Sequence, residues 1–502
     1  MASRRDELNA YVFAKRRLVA QFLHPTSTGS EEGAPRPLRA VLPGVLAGVV
    51  GLAGFGVWGL LRPAAPPEWN KAYANVIVAN PSTTRYVVLR TNGKEQLHPV
   101  LNMASARLLV NPGRNGETSV IRVADSIIDD PRILRGPTVG IPYAPDRLPS
   151  PREAGTAKPW IVCDRPQNQG KDVQTAVFVL SGKDEADFGK RQLLRNDALL
   201  YVRSTAKGGK HHLVDASGTS YVIRPEDDLL VRLLAGDEAP RPVSEEWLRT
   251  LHHGTPLSMP EVPGASGVSK APGLSPPYNR VGTLLEGREG DGVQRYVVLR
   301  DRVAPVTDFV AKLLRGSGKL PPPPPGRDYH RVDGLMPGAD FAPPGSDRWP
   351  TVDSAVRSSS GATTCSVLHS VNPSTGRTTL GIWSGPDFPH ALPGATTPAY
   401  VTPGSGQLFR QFTGTRTDIG PVFLATDAGF RHSLQTKGIA EPGDSGYRDG
   451  PDPAADMRAP KTAMDLLGYS DAACTPIPAA WSSLLPTGPR LSTGAAVQVQ
   501  GS

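Results

Sequence analysis

The chain reads as an α+β protein: a single-pass membrane anchor carrying an extracytoplasmic body of four strand-rich repeats around a central β-rich region, with pseudo-twofold symmetry. Three observations point there. Residues 40–61, AVLPGVLAGVVGLAGFGVWGLL, run without a charge between Arg39 and Arg62. The 53 Gly and 52 Pro make up about a fifth of the 502 residues, which favours many turns and short strands over a helical body. The hexamer RYVVLR occurs at 85–90 and again at 295–300, a mark of internal duplication.

Residues 1–39 form the first expected segment. SRRDELNAYVFAKRRLVAQFL at 3–23 predicts an amphipathic helix, with Ser3 and Asp6 at capping-box spacing. Leu8, Tyr11, Val12, Leu18, Val19 and Phe22 fall on one side, and Arg4, Arg5, Lys15, Arg16 and Arg17 are assigned to the other. Such a helix lies on an anionic inner leaflet or docks into a partner. HPTSTGSEEGAPR at 24–36 reads as a flexible link.

The uncharged run at 40–61 is about 33 Å long as a helix, enough to cross a hydrocarbon layer of roughly 30 Å. Gly44, Ala47, Gly48 and Gly51 form overlapping small-xxx-small pairs, a face suited to close helix packing in lipid. Basic residues outnumber acidic ones before the run, so the positive-inside rule keeps 1–39 in the cytoplasm and places 62–502 outside. A cleaved signal peptide is the rival reading. The long leader, the long run and the following PAAPP, which lacks a small-x-small cleavage site, argue against it.

Past the anchor, each RYVVLR is followed by a proline, Pro99 or Pro305, and then by paired leucines, Leu108-Leu109 or Leu313-Leu314. A second correspondence links WLRTLHHGTPLS at 247–258 with WSSLLPTGPRLS at 481–492. Turns at 215–218 and 426–429 lie between apolar strands and are followed by apolar segments at 229–234 and 463–467. These patterns predict four units of strand, turn, strand and short helix, near 75–110, 195–236, 280–316 and 408–470. Residues 111–194 and 317–407 are left for the β-rich middle.

The three cysteines, Cys163, Cys365 and Cys474, all follow the anchor, and an oxidising exterior permits one disulfide among them. Cys163 and Cys365 occupy corresponding places in the two halves, so packing about a pseudo-twofold axis brings them together. The expected bond is Cys163 to Cys365, with Cys474 free. No CxxC or Cys-His spacing points to a metal. His211/His212 and His252/His253 read as surface residues, since strand neighbours face opposite ways. The net charge of +8 is spread thinly beyond the first segment and makes no case for nucleic acid.

Catalytic signatures are weak. Gly316-Ser317-Gly318-Lys319-Leu320 has the wrong glycine spacing for a phosphate loop, lacks a hydroxyl after Lys, and runs into Pro321 to Pro325. It reads as a loop with a stiff spacer. Gly443-Asp444-Ser445-Gly446 is similar to a serine-protease nucleophile tetrapeptide, but no local motif supports a triad with His369, His390 or His432. Asp129-Asp130 and Asp227-Asp228 are sequence neighbours rather than carboxylates set across a cleft. The expectation is no catalytic, cofactor or metal site.

The order of these features resembles the EccB family, a membrane component of the actinobacterial type VII (ESX) secretion machinery. The likeness rests on RRDELNAYVFAKRRL, the anchor, YVVLRTNGKEQLHPVLNMASARLL, GIPYAPDRLPSP with Trp160 and Cys163, and the closing LLPTGPRLSTGAA. The resemblance implies an elongated ectodomain whose four repeats are similar to a wall-binding phage-lysin subunit. It implies a disulfide at Cys163 and Cys365, and assembly with the EccC motor ATPase, EccD and EccE, with a mycosin protease nearby. Some members carry an ATPase label. The function expected is that of a structural subunit of an export channel, with an ATP hydrolase or a cell-wall-binding module as alternatives.

Overall fold

The structure, a computed structural model, describes residues 3–23, 38–61, 65–112, 118–167, 172–191, 193–224, 227–289, 292–332, 334–356, 363–392, 394, 398–435 and 462–500; the side chains of 23, 38–40, 58–61 and 289 lie outside that description. It divides into two compact units, Met1–Pro67 and Glu68–Ser502.

The first unit contains two helices, α1 (Arg4–Leu23) and α2 (Leu38–Leu61). Ser3 Oγ accepts from the Arg5 amide at 3.1 Å and the Asp6 carboxylate accepts from the Ser3 amide at 3.2 Å, so side chains satisfy amides that the first turn leaves unpaired. The two-sided reading of α1 needs correction. Lys15 stands one turn after Tyr11 and one before Leu18, inside the apolar stripe, and Phe13 is exposed on the other side. Apolar and basic residues are therefore interleaved.

In α2, 24 residues long with Pro43 in its second turn, the described side chains run from 41 to 57. Among the described residues no helix is long and apolar enough to cross a membrane.

The second unit is strand-rich. Its first small sheet holds β1 (Asn75–Asn80), β2 (Arg85–Thr91) and β3 (Lys94–Pro99) as an antiparallel meander, then α3 (Met103–Leu109), then β4 (Ser119–Ala124) parallel to β1. Asn92 and Gly93, at φ 53° and 73°, make the β2–β3 turn with the left-handed pair that a tight hairpin requires. After α4 (Asp125–Ile128) and α5 (Pro151–Gly155) come β5 (Trp160–Gln167), β6 (Asp172–Val179) and α6 (Gly182–Gly189).

The second small sheet repeats the meander with β7 (Ala198–Ser204), β8 (His211–Asp215) and β9 (Thr219–Ile223), followed by α7 (Asp228–Ala235) and β10 (Arg241–Val243) parallel to β7. Next are α8 (Glu245–Leu248) and β11 (His252–His253), which pairs with β9. The third has β12 (Leu284–Glu289), β13 (Gly292–Val298), β14 (Val303–Val306), α9 (Asp308–Gly316) and β15 (His330–Arg331) parallel to β12.

β16 (Ala355–Val356) joins β7, and β17 (Thr363–Val371), β18 (Thr378–Gly385) and β19 (Ala399–Val401) complete a central sheet of order β18-β17-β5-β6-β19. The fourth small sheet comprises β20 (Gly406–Phe412), β21 (Val422–Thr426), β22 (Arg431–Ser433), α10 (Ala463–Leu467) and β23 (Thr475–Pro478) parallel to β20. α11 (Ala479–Ser482) and α12 (Thr493–Ala496) follow.

The common unit is thus three antiparallel strands, a helix and a fourth strand parallel to the first, richer than the strand, turn, strand and helix expected. Both RYVVLR hexamers begin in second strands, β2 and β13. Strands at 119–124 and 330–331, assigned from sequence to the middle, pair instead with β1 and β12. A helix between first-sheet strands lets the chain return in parallel, which a tight turn cannot do.

The helices with their paired leucines seal two cores. One unites the first and fourth sheets through Leu108, Leu109, Leu466 and Leu467; the other unites the second and third through Leu230, Leu234, Leu313 and Leu314. A third core packs one face of the central sheet, with Trp160 and Val177, against Trp247 and Trp481 from the second and fourth sheet regions.

Candidate functional site

β5 and β17 run antiparallel with Cys163 directly opposite Cys365, and the two are joined by a disulfide across 202 residues of sequence, Cα–Cα 4.0 Å. Both are fully buried on the sheet face lined by Phe178, Phe188, Trp383 and Phe388. Arg165 and Arg191 lie over Phe388 and Trp383 at 4.4 and 4.8 Å from the ring centres. Cys474 is a free, half-buried thiol whose pKa burial raises.

Beside the disulfide, Asp164 is fully buried and holds the second sheet to the middle. Its carboxylate accepts from the Ser244 amide at 2.6 Å, from Ser244 Oγ at 3.1 Å and from Thr175 Oγ1 at 2.7 Å. Burial pushes its carboxyl up to about 6, although these donors favour the charged form. Ser244 Oγ in turn caps α8, accepting from the Trp247 amide at 3.0 Å.

A strap runs parallel alongside the third strand of every small sheet. In each, a glycine amide donates to a carbonyl of the third-strand region: Gly136 to Leu97, Gly254 to Ser220, Gly338 to Val303 and Gly488 to Arg431, at 2.8 to 3.1 Å. Beneath two straps lie buried imidazoles. His98 Nδ1 is 2.9 Å from Pro137 O and His432 Nδ1 is 3.0 Å from Pro489 O. Burial lowers the pKa of both rings, so each stays neutral and donates through Nδ1. A methyl group on Gly136 or Gly488 would stand 2.1 or 2.3 Å from the ring. The sequence signal was partial: Gly254 and Gly488 align within the Trp-to-Ser correspondence, while Gly136 shows itself only by the shared Gly-Pro step.

The residues singled out from sequence are dispersed. Leu8, Tyr11, Val12, Leu18, Val19 and Phe22 are 38% to 88% exposed on α1. On α2, a Cβ added at Gly44, Gly48 or Gly51 meets nothing within 4 Å, and Ala47 is exposed beside them. The Gly316 to Lys319 segment starts at the last residue of α9 and so sits at the helix's C-terminal end, where exposed carbonyls repel phosphate. Lys319 Nζ there donates to Glu261 at 2.9 Å.

Asp129 and Asp130 pair with Arg135 and Arg132, and Asp228 opens α7. The tetrapeptide 443–446 lies outside the described residues. His211, His212 and His252 are half-buried rather than superficial; His252 Nε2 reaches Thr378 Oγ1 at 2.7 Å and ties the second sheet region to β18. Among the described residues no group of three His, Cys, Asp or Glu is placed to hold a metal.

Sequence reasoning also passed over Tyr143, which is 95% exposed at φ 60°, an uncommon conformation for a bulky residue.

The family model described as "Type VII secretion system ESX-1, transport TM domain B" matches residues 1–502. The chain belongs to the EccB family. It is 30% identical over 481 residues to the ESX-3 secretion system ATPase EccB3 of Mycolicibacterium smegmatis, covering 91% of this chain and 83% of the relative. Against the protein of the same name from Mycobacterium tuberculosis H37Rv it is 30% identical over 352 residues, which is 64% of this chain and 59% of that relative.

Among solved structures, an EccB-type fold is shared with a chain of an intact ESX-5 inner membrane complex at TM-score 0.58 and 24% identity, covering 100% of this chain and 96% of the other. The EccB3 dimer from the ESX-3 core complex aligns at TM-score 0.56 and 23% identity, over 84% and 100% of the two chains. As an EccB family member, the chain is a mixed, strand-rich α+β component of type VII secretion.

Proposed function

We propose that this EccB family chain is a non-catalytic structural subunit of a type VII export channel. Residues 40–61 anchor it in the cell membrane by a single pass, 1–39 remain in the cytoplasm, and 62–502 stand outside as four repeats about a central domain. The antiparallel meeting of β5 and β17, with corresponding cysteines opposite each other, supports a pseudo-twofold relation between the halves. Its partners are subunits of the EccC, EccD and EccE types and other copies of itself, with a mycosin-type protease adjoining. α1 docks to a neighbour and the small-residue face of α2 packs against another membrane helix.

The observation that carries this reading is the family match along the entire chain. Solved relatives come from an inner membrane complex and from a dimer. The test is removal of residues 1–23 in a cell that depends on this chain for export. Native mass of the detergent-extracted complex and secreted substrate should both fall. Unchanged assembly and secretion would reject the docking role.

ATP hydrolysis is the second reading, because relatives bear the name ATPase. The nearest phosphate-loop likeness sits after a helix rather than before one, with its lysine engaged by Glu261. Metal-dependent hydrolysis by the purified chain, abolished by a single substitution, would establish that reading over the scaffold. Sedimentation with isolated wall material tests the third, a wall-binding module.

A further inference from the structure

The loop from α9 to β15 carries five consecutive prolines, Pro321 to Pro325, then Gly326 and Arg327. Proline fixes φ near −65° and has no amide hydrogen, so such a run settles into a polyproline II helix with three residues per turn. Exposure follows that period. Pro321 and Pro324 are half-buried, whereas Pro322, Pro323 and Pro325 are exposed.

One edge therefore rests on the body. Its start lies against the turn at Gly282, where an added Cβ would come within 2.8 Å of Leu320 and 3.2 Å of Pro321. The other edges face outward, with Pro322 and Pro325 one turn apart, about 9 Å at 3.1 Å per residue. Gly326, at φ 75°, ends the run, and the Arg327 amide donates to Pro324 O at 3.1 Å. Arg327 is exposed, and among the described residues it meets no carboxylate, unlike Lys319 with Glu261 and Arg315 with Asp328.

We propose that the Pro322/Pro325 edge, together with Arg327, is a docking surface for a groove on a different protein, lined by aromatic rings and closed at one end by a carboxylate. Ridged proline faces fit between aromatic side chains, and the run is already held in its bound form, so little conformational entropy is lost on docking. The exposed Arg327 guanidinium, just past the second proline, sets the direction of docking through an acidic partner.

The test uses the full-length chain in its own membranes with a photo-crosslinking amino acid at position 323. Irradiation should give one adduct, mapped by mass spectrometry beside an aromatic residue of another protein. Excess decaproline peptide should suppress it. Pro322→Ala with Pro325→Ala should lower its yield roughly tenfold, equivalent to about 1.4 kcal/mol, and Arg327→Glu should lower it further. A Cys163–Cys365 bond that stays closed on non-reducing gels shows that the variants are folded. No adduct, an adduct confined to lipid or to copies of this chain, or one that survives the double substitution would overturn the proposal.

Discussion

Gly136 and Gly488 show what a single missing Cβ can control. Either residue changed to Ala drives a methyl into a buried imidazole, and we expect a loss of about 1 to 3 kcal/mol, read from urea denaturation. The imidazoles themselves make stability depend on pH. Burial holds His98 and His432 below the ordinary histidine value of about 6.5. The unfolded chain then takes up protons first, and the stability they contribute, complete above about pH 6.5, is lost as pH falls through the lower folded values. Asp164 acts in the opposite sense, because its carboxyl is raised to about 6 and the folded state gains stability as pH drops through that value. The two effects separate by difference: the denaturation midpoint should fall less between pH 7 and pH 5 in a His98→Leu/His432→Leu variant than in the parent. Asp164→Ala is expected to cost about 1 to 3 kcal/mol, since it strands the buried Ser244 amide.

Between residues and the whole, the elements that the sequence disclosed are those with a strong local period or a repeated signature. RYVVLR, the paired leucines and the Asp215 and Thr426 turns all mark parts of the meander and its helix, because a strand's alternation and a turn's glycine are written in adjacent residues. The fourth, parallel strands escaped. β10 and β23 are three and four residues long and contain proline, and their pairing with β7 and β20 depends on partners far along the chain. The polar face expected of α1 does not form, because Lys15 lies one turn from both Tyr11 and Leu18 and so shares the apolar side. Buried Asp164 and the straps over His98 and His432 were invisible for the same reason as the parallel strands: burial is a tertiary property. Trp247 and Trp481, aligned from sequence, are fully buried in one core with the central sheet. Either one changed to Ala should cost about 3 to 5 kcal/mol by chemical denaturation. Removing the disulfide with Cys163→Ser and Cys365→Ser should cost about 2 to 5 kcal/mol by the same measurement.

At the scale of the molecule, the sheets associate out of chain order, first with fourth and second with third. For the proposed anchor, Val49→Arg with Leu52→Arg should release the chain from sedimented membranes, since each charge at a helix centre opposes insertion by roughly 2.5 to 3.5 kcal/mol. Persistence in the membrane fraction after alkaline washing would count against the span. The closing segment has its own role. Val499 bridges Val139, the Gln500 amide donates to Thr138 O at 2.9 Å, and Gln500 Nε2 donates to Gly140 O at 2.8 Å. The earliest-made lobe thus borrows its last seam from residues that leave the ribosome some 360 positions later. Until the fourth sheet and α12 are made, Leu108 and Leu109 lack the late residues Leu466, Leu467, Leu491 and Ala496 that share their core, which invites chaperone attendance and slows maturation. A nonsense codon or bulky tag near residue 495 should therefore injure the lobe that was translated first.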